Sequence, residues 1–193
     1  MVTAIRICDY LWLTWLIIWL LWAFQSKQTR QKESLASQIA YRLPILAFVA
    51  LMIYARHYNG SFWASPVIPW QPWLGPLAVS LTAAGFAFTI WARAYLGSNW
   101  SGTVTIKVGH ELIRTGPYRF VRHPIYTGIM VAFLGTALAW NQWCAVAAIP
   151  LFWLSFTIKR LKEEQFMRQT FGSQYDDYTR TTGAIFPLKL NLH

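Results

Sequence analysis

Five long apolar segments, separated by shorter polar ones, restrict how this chain can fold more than any other feature. They occupy residues 5–24, 39–55, 74–96, 125–140 and 143–158. A helix of about 20 apolar residues crosses the hydrocarbon core of a bilayer. Shorter segments can adapt by local thinning of the bilayer and by interfacial tryptophans, of which the chain has 12. We therefore predict an all-α integral membrane protein with about five transmembrane helices.

The basic residues orient these helices in the membrane. The formal net charge is +10, and residues 25–42, 93–123 and 159–193 hold 4, 5 and 6 of the 17 Lys and Arg residues. With five crossings these three segments share one side, and Arg6 and Arg56 lie on the other. The positive-inside rule then predicts a multi-pass protein with its N-terminus outside and the basic segments in the cytoplasm. Because the charges lie between apolar segments rather than on one soluble face, we expect no nucleic-acid partner.

The last two apolar segments form a helical hairpin. Only Asn141 and Gln142 separate them, and so short a connection joins antiparallel neighbours. Residues 123–126 and 159–164, at the two ends of the hairpin, should therefore lie side by side. We predict two parts of the chain: residues 1–73 with the first two membrane helices and their loops, and residues 74–193 as a core that carries the functional site.

One face of the fourth helix carries only small residues. Gly128, Ala132, Gly135 and Ala139 recur at helical spacing. Small residues let two membrane helices approach closely, so this face should pack against a neighbouring helix.

A polar motif, Gly116-Pro117-Tyr118-Arg119-Phe120-Val121-Arg122-His123-Pro124-Ile125-Tyr126-Thr127-Gly128, begins the hairpin. Pro124 suits the first turn of a helix, where its missing N–H costs nothing. His123 would then lie at a helix N-terminus, which favours anions. The segment Lys159-Arg160-Leu161-Lys162-Glu163-Glu164 at the other end completes a candidate polar pocket.

The chain resembles the isoprenylcysteine carboxyl methyltransferase family, whose wider group includes phospholipid N-methyltransferases. The similarity covers about residues 74–187. It consists of an ordered series of motifs: Leu96-Gly97-x-x-Trp100-Ser101, Gly109-His110-x-Leu112-Ile113-x-x-Gly116-Pro117-Tyr118, Arg122-His123-Pro124-x-Tyr126-x-Gly128, Glu163-Glu164, and Phe171-Gly172-x-x-Tyr175-x-x-Tyr178.

This resemblance implies an S-adenosylmethionine-dependent methyltransferase that acts on a lipophilic acceptor, with no metal. The positions that match the family's cofactor contacts are His110, Leu112, Ile113, Tyr118, His123, Pro124, Tyr126 and Glu163. The family's substrate-binding arginine falls on Lys159, and the adjacent Arg160 is the alternative. Glu164 could serve as a base if the acceptor is an amine, which must lose a proton. A carboxylate acceptor is already ionised at pH 7 and needs no base.

The acceptor itself stays open at this stage. We expect carboxyl O-methylation of an isoprenylcysteine-like substrate at the cytoplasmic membrane face, so that the partners are a lipophilic or lipid-modified substrate and membrane lipids. Phospholipid N-methylation and S-methylation of a small thiol are the alternatives within the class. A sterol-type membrane reductase that uses a nicotinamide cofactor and a non-enzymatic scaffold or transporter are the alternatives outside it. The sequence does not indicate an oligomeric state.

Overall fold

The computed structural model describes residues 1–24, 28–58, 60–109 and 111–187, and these residues are mainly helical. The helices are α1 (Val2–Ala23), α2 (Leu35–His57), α3 (Leu74–Leu96), α4 (Pro124–Trp140), α5 (Trp143–Phe171) and α6 (Ser173–Thr181). Two short strands, β1 (Thr29–Lys32) and β2 (Thr105–Lys107), pair antiparallel. Short 3₁₀ turns occupy Phe62–Ala64, Gly97–Asn99 and Gly116–Arg119. The predicted all-α architecture is confirmed, and the two-stranded ribbon is a small addition to it.

Within the described part of the chain, α1, α2, α3 and α5 are long and apolar enough to cross a membrane. Helix α4 has 17 residues and is about 26 Å long, slightly less than the ~30 Å hydrocarbon core. Large apolar side chains of α1 and α2, such as Leu13, Leu20, Leu46 and Ile53, are exposed on the protein surface. Lipid tails would cover such side chains. The chain is therefore an integral membrane protein, as predicted.

Helices α3 and α4 approach each other backbone to backbone. A Cβ atom on Gly128 would lie 2.6 Å from the carbonyl oxygen of Gly85, and one on Gly135 would lie 2.6 Å from that of Ala78. The small-residue face of α4 therefore packs on α3, as its spacing predicts. This close contact fixes where α4 begins relative to the end of α3, and the functional site lies between those two points.

The first two helices pack against different partners. Helix α1 contacts α3 and α4, and α2 contacts α5. Trp12 and Trp15 of α1 donate indole hydrogen bonds to the hydroxyl groups of Thr136 at 2.9 Å and Thr89 at 2.7 Å. Polar groups between membrane helices are paired in this way because lipid cannot solvate them. The division of the chain at residue 73 stays a prediction.

The predicted turn between α4 and α5 is anchored to the connection before α3. Asn141 ends α4 with a left-handed backbone (φ 51°), which asparagine adopts more readily than most residues. Its side-chain amide donates a hydrogen bond to the carbonyl of Ile68 at 2.7 Å, and the N–H of Val67 donates to the Asn141 carbonyl at 3.0 Å. The start of α4 and the later part of α5 therefore lie on the same side of the bundle.

Helix α5 continues about three turns beyond its apolar segment and carries the charged residues out of the membrane-spanning part. After α6 the chain folds back over the start of α4. The N–H groups of Arg122 and His123 donate to the carbonyls of Gly183 and Ala184 at 2.8 and 2.9 Å. These bonds satisfy donors that the start of a helix otherwise leaves unpaired, and they close one side of the site.

Candidate functional site

A cavity of about 260 Å³ lies where α1 and α3 end and α4 begins. Its walls include residues 99–105 after α3, residues 111–113 and 122–126, and one face of α5. Small-molecule sites usually measure about 300–1,000 Å³, so this cavity of about 260 Å³ is slightly smaller than that range.

Two adjacent faces of helix α5 each carry one basic and one acidic residue at or beside the cavity. Residues four apart share a helix face, so Lys159 and Glu163 lie on one face and Arg160 and Glu164 on the next. Lys159, Glu163 and Phe156 line the cavity. Arg160 is directed instead to Glu164, with Nη1 3.1 Å from Oε1. A step of one residue, about 100° around the helix, therefore separates a pair that lines the cavity from an ion pair beside it.

Glu164 is the centre of a buried ion cluster beside the cavity. Its side chain is 4% exposed, and Oε1 lies 2.9 Å from Nη2 of Arg122 and 3.1 Å from Arg160. Arg122 also donates to the carbonyls of Thr179 and Thr182 near the end of α6. A carboxylate held between two guanidinium groups stabilises the fold. These contacts occupy Oε1 of Glu164, and Oε2 lies 3.9 Å from Nη2 of Arg168; the role of Glu164 as a base stays a prediction.

His123 connects this cluster to the cavity. Its Nδ1 lies 3.4 Å from Oε2 of Glu163, and its Nε2 lies 3.2 Å from Oε1 of Glu164. Burial alone would lower the pKa of His123, but hydrogen bonds to the two carboxylates outweigh burial and hold this pKa above its ordinary value. His123 immediately precedes Pro124, the first residue of α4, as the sequence predicts. The result is an imidazole fixed between two adjacent acids at a helix N-terminus, where both contacts favour its protonated form.

Tyr126 holds the carboxylate of Glu163 in place. Its hydroxyl donates to Oε1 of Glu163 at 2.5 Å. Its ring stacks on the imidazole of His123 and on the ring of Phe156, with centroids 5.4 and 4.9 Å apart. A carboxylate has about four acceptor positions, so Glu163 can accept further hydrogen bonds from a ligand. The cavity therefore has a fixed anion on an aromatic wall.

Tyr118 forms another aromatic part of the wall. Burial, followed by the negative charge of Glu163, raises the pKa of Tyr118 far above its usual range, so that the phenol stays neutral. The hydroxyl of Tyr178 on α6 donates to the Tyr118 carbonyl at 2.5 Å. Helix α6 therefore supports the cavity wall from behind.

Lys159 supplies a cation on the same side of α5 as Glu163. Its Nζ lies 5.5 Å from the ring centroids of both Tyr41 and Tyr126, and it donates to the Gly102 carbonyl at 3.0 Å. A lysine ammonium has three donors, so an anionic ligand group can still bind. The cavity can thus hold a cationic and an anionic group about one helical turn apart.

Most of the predicted site residues meet at this cavity. Leu112, Ile113, Tyr118, His123, Pro124, Tyr126, Lys159 and Glu163 all line it. Arg160 and Glu164 belong to the ion cluster instead, and His110 lies outside the described residues. The ligands of these residues stay predictions.

Several wall residues were not predicted from the sequence. Phe166 and Met167 lie three and four residues after Glu163 and line the cavity with it, so the helical period could have identified them. Trp100 and Ser101 belong to a family motif, but the residues that follow them, 102–105, have no regular pattern that would predict their place in the wall.

Comparisons with known proteins identify the family. A family model described as phospholipid methyltransferase matches residues 73–174. A probable protein-S-isoprenylcysteine O-methyltransferase of Oryza sativa subsp. indica is 35% identical over 79 residues, which cover 40% of this chain and 41% of that protein. Protein-S-isoprenylcysteine O-methyltransferase B of Arabidopsis thaliana is 24% identical over 142 residues, 72% of each chain. The chain thus spans less than half the length of the rice relative.

A solved structure has the same fold. The eukaryotic intramembrane Ras methyltransferase, isoprenylcysteine carboxyl methyltransferase, superposes with a TM-score of 0.57 at 24% identity, over 79% of this chain and 50% of that one. These comparisons confirm the family resemblance that the motifs predict.

Proposed function

The chain belongs to the phospholipid methyltransferase family, and from this premise we propose that it is an integral membrane methyltransferase that uses S-adenosylmethionine. We place its reaction at the cytoplasmic membrane face. Residues 25–42, 93–123 and 159–193 hold 4, 5 and 6 of the 17 basic residues, and the positive-inside rule assigns such segments to the cytoplasm. The acceptor is a lipophilic or lipid-modified molecule, and the reaction is carboxyl O-methylation of an isoprenylcysteine-like group.

The cavity residues fit the polar groups of the methyl donor. S-adenosylmethionine supplies an electrophilic methyl group on a sulfonium cation and carries an α-ammonium, an α-carboxylate and an adenine. Glu163, held by Tyr126 and His123, suits the ammonium. The ring face of Tyr118 suits the sulfonium cation, whereas the Tyr126 ring stacks on His123 and Phe156. The N-terminus of α4 suits the carboxylate, with His123 held there by Glu163 and Glu164, and Leu112 and Ile113 add an apolar wall.

The position of Lys159 is the observation that carries the choice of acceptor. Its ammonium lies at the cavity between two aromatic rings, where it attracts a carboxylate and repels the ammonium head group of an aminophospholipid. A carboxylate acceptor is ionised at pH 7 and requires no base. A carboxylate acceptor therefore does not need Glu164, which pairs with Arg122 and Arg160.

The side chains act by positioning and by removal of water. Glu163 and Lys159 hold two oppositely charged head groups at fixed places on one helix face. The aromatic and apolar walls exclude water, which strengthens these charge contacts. A methyl transfer gains most of its acceleration from such alignment of the two reactants.

Two measurements on the purified protein in detergent test this proposal. Calorimetry should detect binding of S-adenosylmethionine and none of NADPH; heat from NADPH alone would favour a reductase. A labelled methyl donor should then be offered with S-farnesylcysteine, phosphatidylethanolamine or a small aromatic thiol. We expect label on the S-farnesylcysteine carboxylate. Label on the phospholipid amine or the thiol would leave a methyltransferase but overturn the proposed acceptor.

A further inference from the structure

Glu33 is a buried carboxylate at the N-terminus of α2. Its side chain is held by three hydrogen bonds: Oε1 accepts from the Tyr41 hydroxyl at 2.7 Å and from the Val104 N–H at 3.0 Å, and Oε2 accepts from the Ser37 hydroxyl at 2.8 Å. The Glu33 N–H also donates to the Val104 carbonyl at 3.1 Å. Glu33 and Val104 therefore clamp each other at two points, although 71 positions separate them.

The local sequence supports a negative charge at this place. Ser34 caps α2 by accepting a hydrogen bond from the N–H of Ser37, and Glu33 directly precedes this cap. A carboxylate beside a helix N-terminus is stabilised by the helix dipole. Glu33 is 7% exposed and Val104 is 2% exposed, so water does not compete for these bonds.

Val104 belongs to the wall of the cavity. Residues 99–105 form one continuous side of it, and the strands β1 and β2 begin to pair directly after this stretch. The clamp by Glu33 therefore holds this wall from outside the cavity.

Tyr41 links Glu33 to Lys159. Its ring lies 5.5 Å from the Lys159 ammonium, its hydroxyl is fixed by Glu33, and its carbonyl accepts a hydrogen bond from Ser155 of α5 at 2.5 Å. Lys159 in turn donates to the Gly102 carbonyl in the wall. Glu33 thus contacts Tyr41, and Tyr41 contacts Lys159. Lys159 bonds to Gly102 in the same wall segment as Val104, which bonds to Glu33.

We propose that Glu33 is a positioning residue for the acceptor side of the site, because it fixes Tyr41 and the 99–105 wall and through them the ammonium of Lys159. This inference rests on the proposed function in assigning Lys159 to the acceptor. Glu33 and Tyr41 lie outside residues 73–174, which match the family model. The N-terminal part of the chain therefore contributes to the site and does more than anchor the core in the membrane.

Four variants of the full chain test the inference: Glu33→Ala, Glu33→Gln, Tyr41→Phe and, as control, Asp177→Asn, whose carboxylate is 67% exposed on α6. Hydrogen–deuterium exchange of a peptide covering 99–105 reports the clamp without any need for activity. In Glu33→Ala we expect exchange there at least about tenfold faster, as for loss of one hydrogen bond to a charged group. Exchange within α4 should stay unchanged. Glu33→Gln keeps an oxygen for Val104 and Tyr41 and should restore most of the protection, and Asp177→Asn should match the wild type.

Kinetics with S-farnesylcysteine then separate positioning from folding. Glu33→Ala should raise the acceptor KM about tenfold and leave S-adenosylmethionine affinity within about twofold, and Tyr41→Phe should change the KM in the same direction. Unchanged 99–105 exchange in Glu33→Ala, or faster exchange with an unchanged acceptor KM, overturns the inference. If Glu33→Ala does not fold, an unchanged KM in Tyr41→Phe overturns it. If the wild type methylates no acceptor, the proposed function fails, and the exchange data still decide whether Glu33 clamps the wall.

Discussion

Lys159 and Glu163 lie four residues apart on one face of α5, and both line the same cavity. Opposite charges at this spacing on a helix commonly pair with each other. Here Glu163 bonds to Tyr126 and His123, and Lys159 bonds to the Gly102 carbonyl. The two charges are held by different neighbours, so each can meet a different ligand group.

We expect Glu163→Gln to weaken S-adenosylmethionine binding. Loss of a charge-assisted hydrogen bond costs ~1.5–3 kcal/mol, which corresponds to roughly 10- to 150-fold in affinity. Calorimetry measures this change directly. Asp177→Asn is the control, because the Asp177 carboxylate is 67% exposed and pairs with Arg180 at 3.6 Å on the surface. Normal affinity in Glu163→Gln would remove this residue from the donor site.

Substitutions at the adjacent positions 159 and 160 should have different effects. Lys159→Ala removes the cavity-facing cation, so we expect the acceptor KM to rise about tenfold or more, with donor affinity nearly unchanged. Arg160→Ala removes a partner of Glu164 and should instead lower the free energy of unfolding by ~1–3 kcal/mol. Methyl-transfer kinetics and thermal unfolding in detergent measure the two effects. If Arg160→Ala raises the acceptor KM and Lys159→Ala does not, Arg160 and not Lys159 contacts the acceptor.

Stability should depend on pH through His123. Its pKa in the folded protein is raised, so its contribution is fully present below the unfolded value of about 6.5 and is lost as pH rises through the folded pKa. Between pH 5.5 and 9 we therefore expect the thermal midpoint of the wild type to fall relative to that of His123→Gln. Parallel midpoint curves for the two proteins would mean that His123 does not titrate in this way.

Local rules predict the helices and much of the site. Pro124 marks the start of α4, the short break at Asn141 makes the hairpin, and the helical period puts Lys159 and Glu163 on one face. These relationships depend on residues that are close in sequence or joined by a tight turn.

Contacts across long sequence separations could not be predicted in this way. The pairing of Glu33 with Val104 depends on how α2 and the loop after α3 meet in space. The choice of Glu164 as the partner of Arg122, rather than Glu163 or a lipid phosphate, depends on a rotation of α5 that side-chain packing decides.

Gly128→Ala should destabilise the contact between α3 and α4. The added Cβ would lie 2.6 Å from the Gly85 carbonyl oxygen and 2.6 Å from Cγ2 of Thr89, and such overpacking costs ~1–3 kcal/mol. Gly75→Ala, in the first turn of α3, is the matched control because its Cβ would make ordinary contacts at 3.5 Å. Thermal unfolding in detergent should show a lower midpoint for Gly128→Ala alone. Equal midpoints would show that α3 and α4 can move apart at this contact without a loss of stability.

The orientation in the membrane can be tested with two single cysteines. Tyr58, 54% exposed, follows α2, and Arg180, with a side chain 79% exposed, lies on α6. The native Cys8 and Cys144 are buried, so they should give little background with a membrane-impermeant maleimide. Because the positive-inside rule predicts that the basic segments are cytoplasmic, we expect Tyr58→Cys to react from outside intact cells and Arg180→Cys to react only in inverted vesicles. Reaction of Arg180→Cys from outside would reverse the topology and would place the cavity on the external face, away from a cytoplasmic methyl donor.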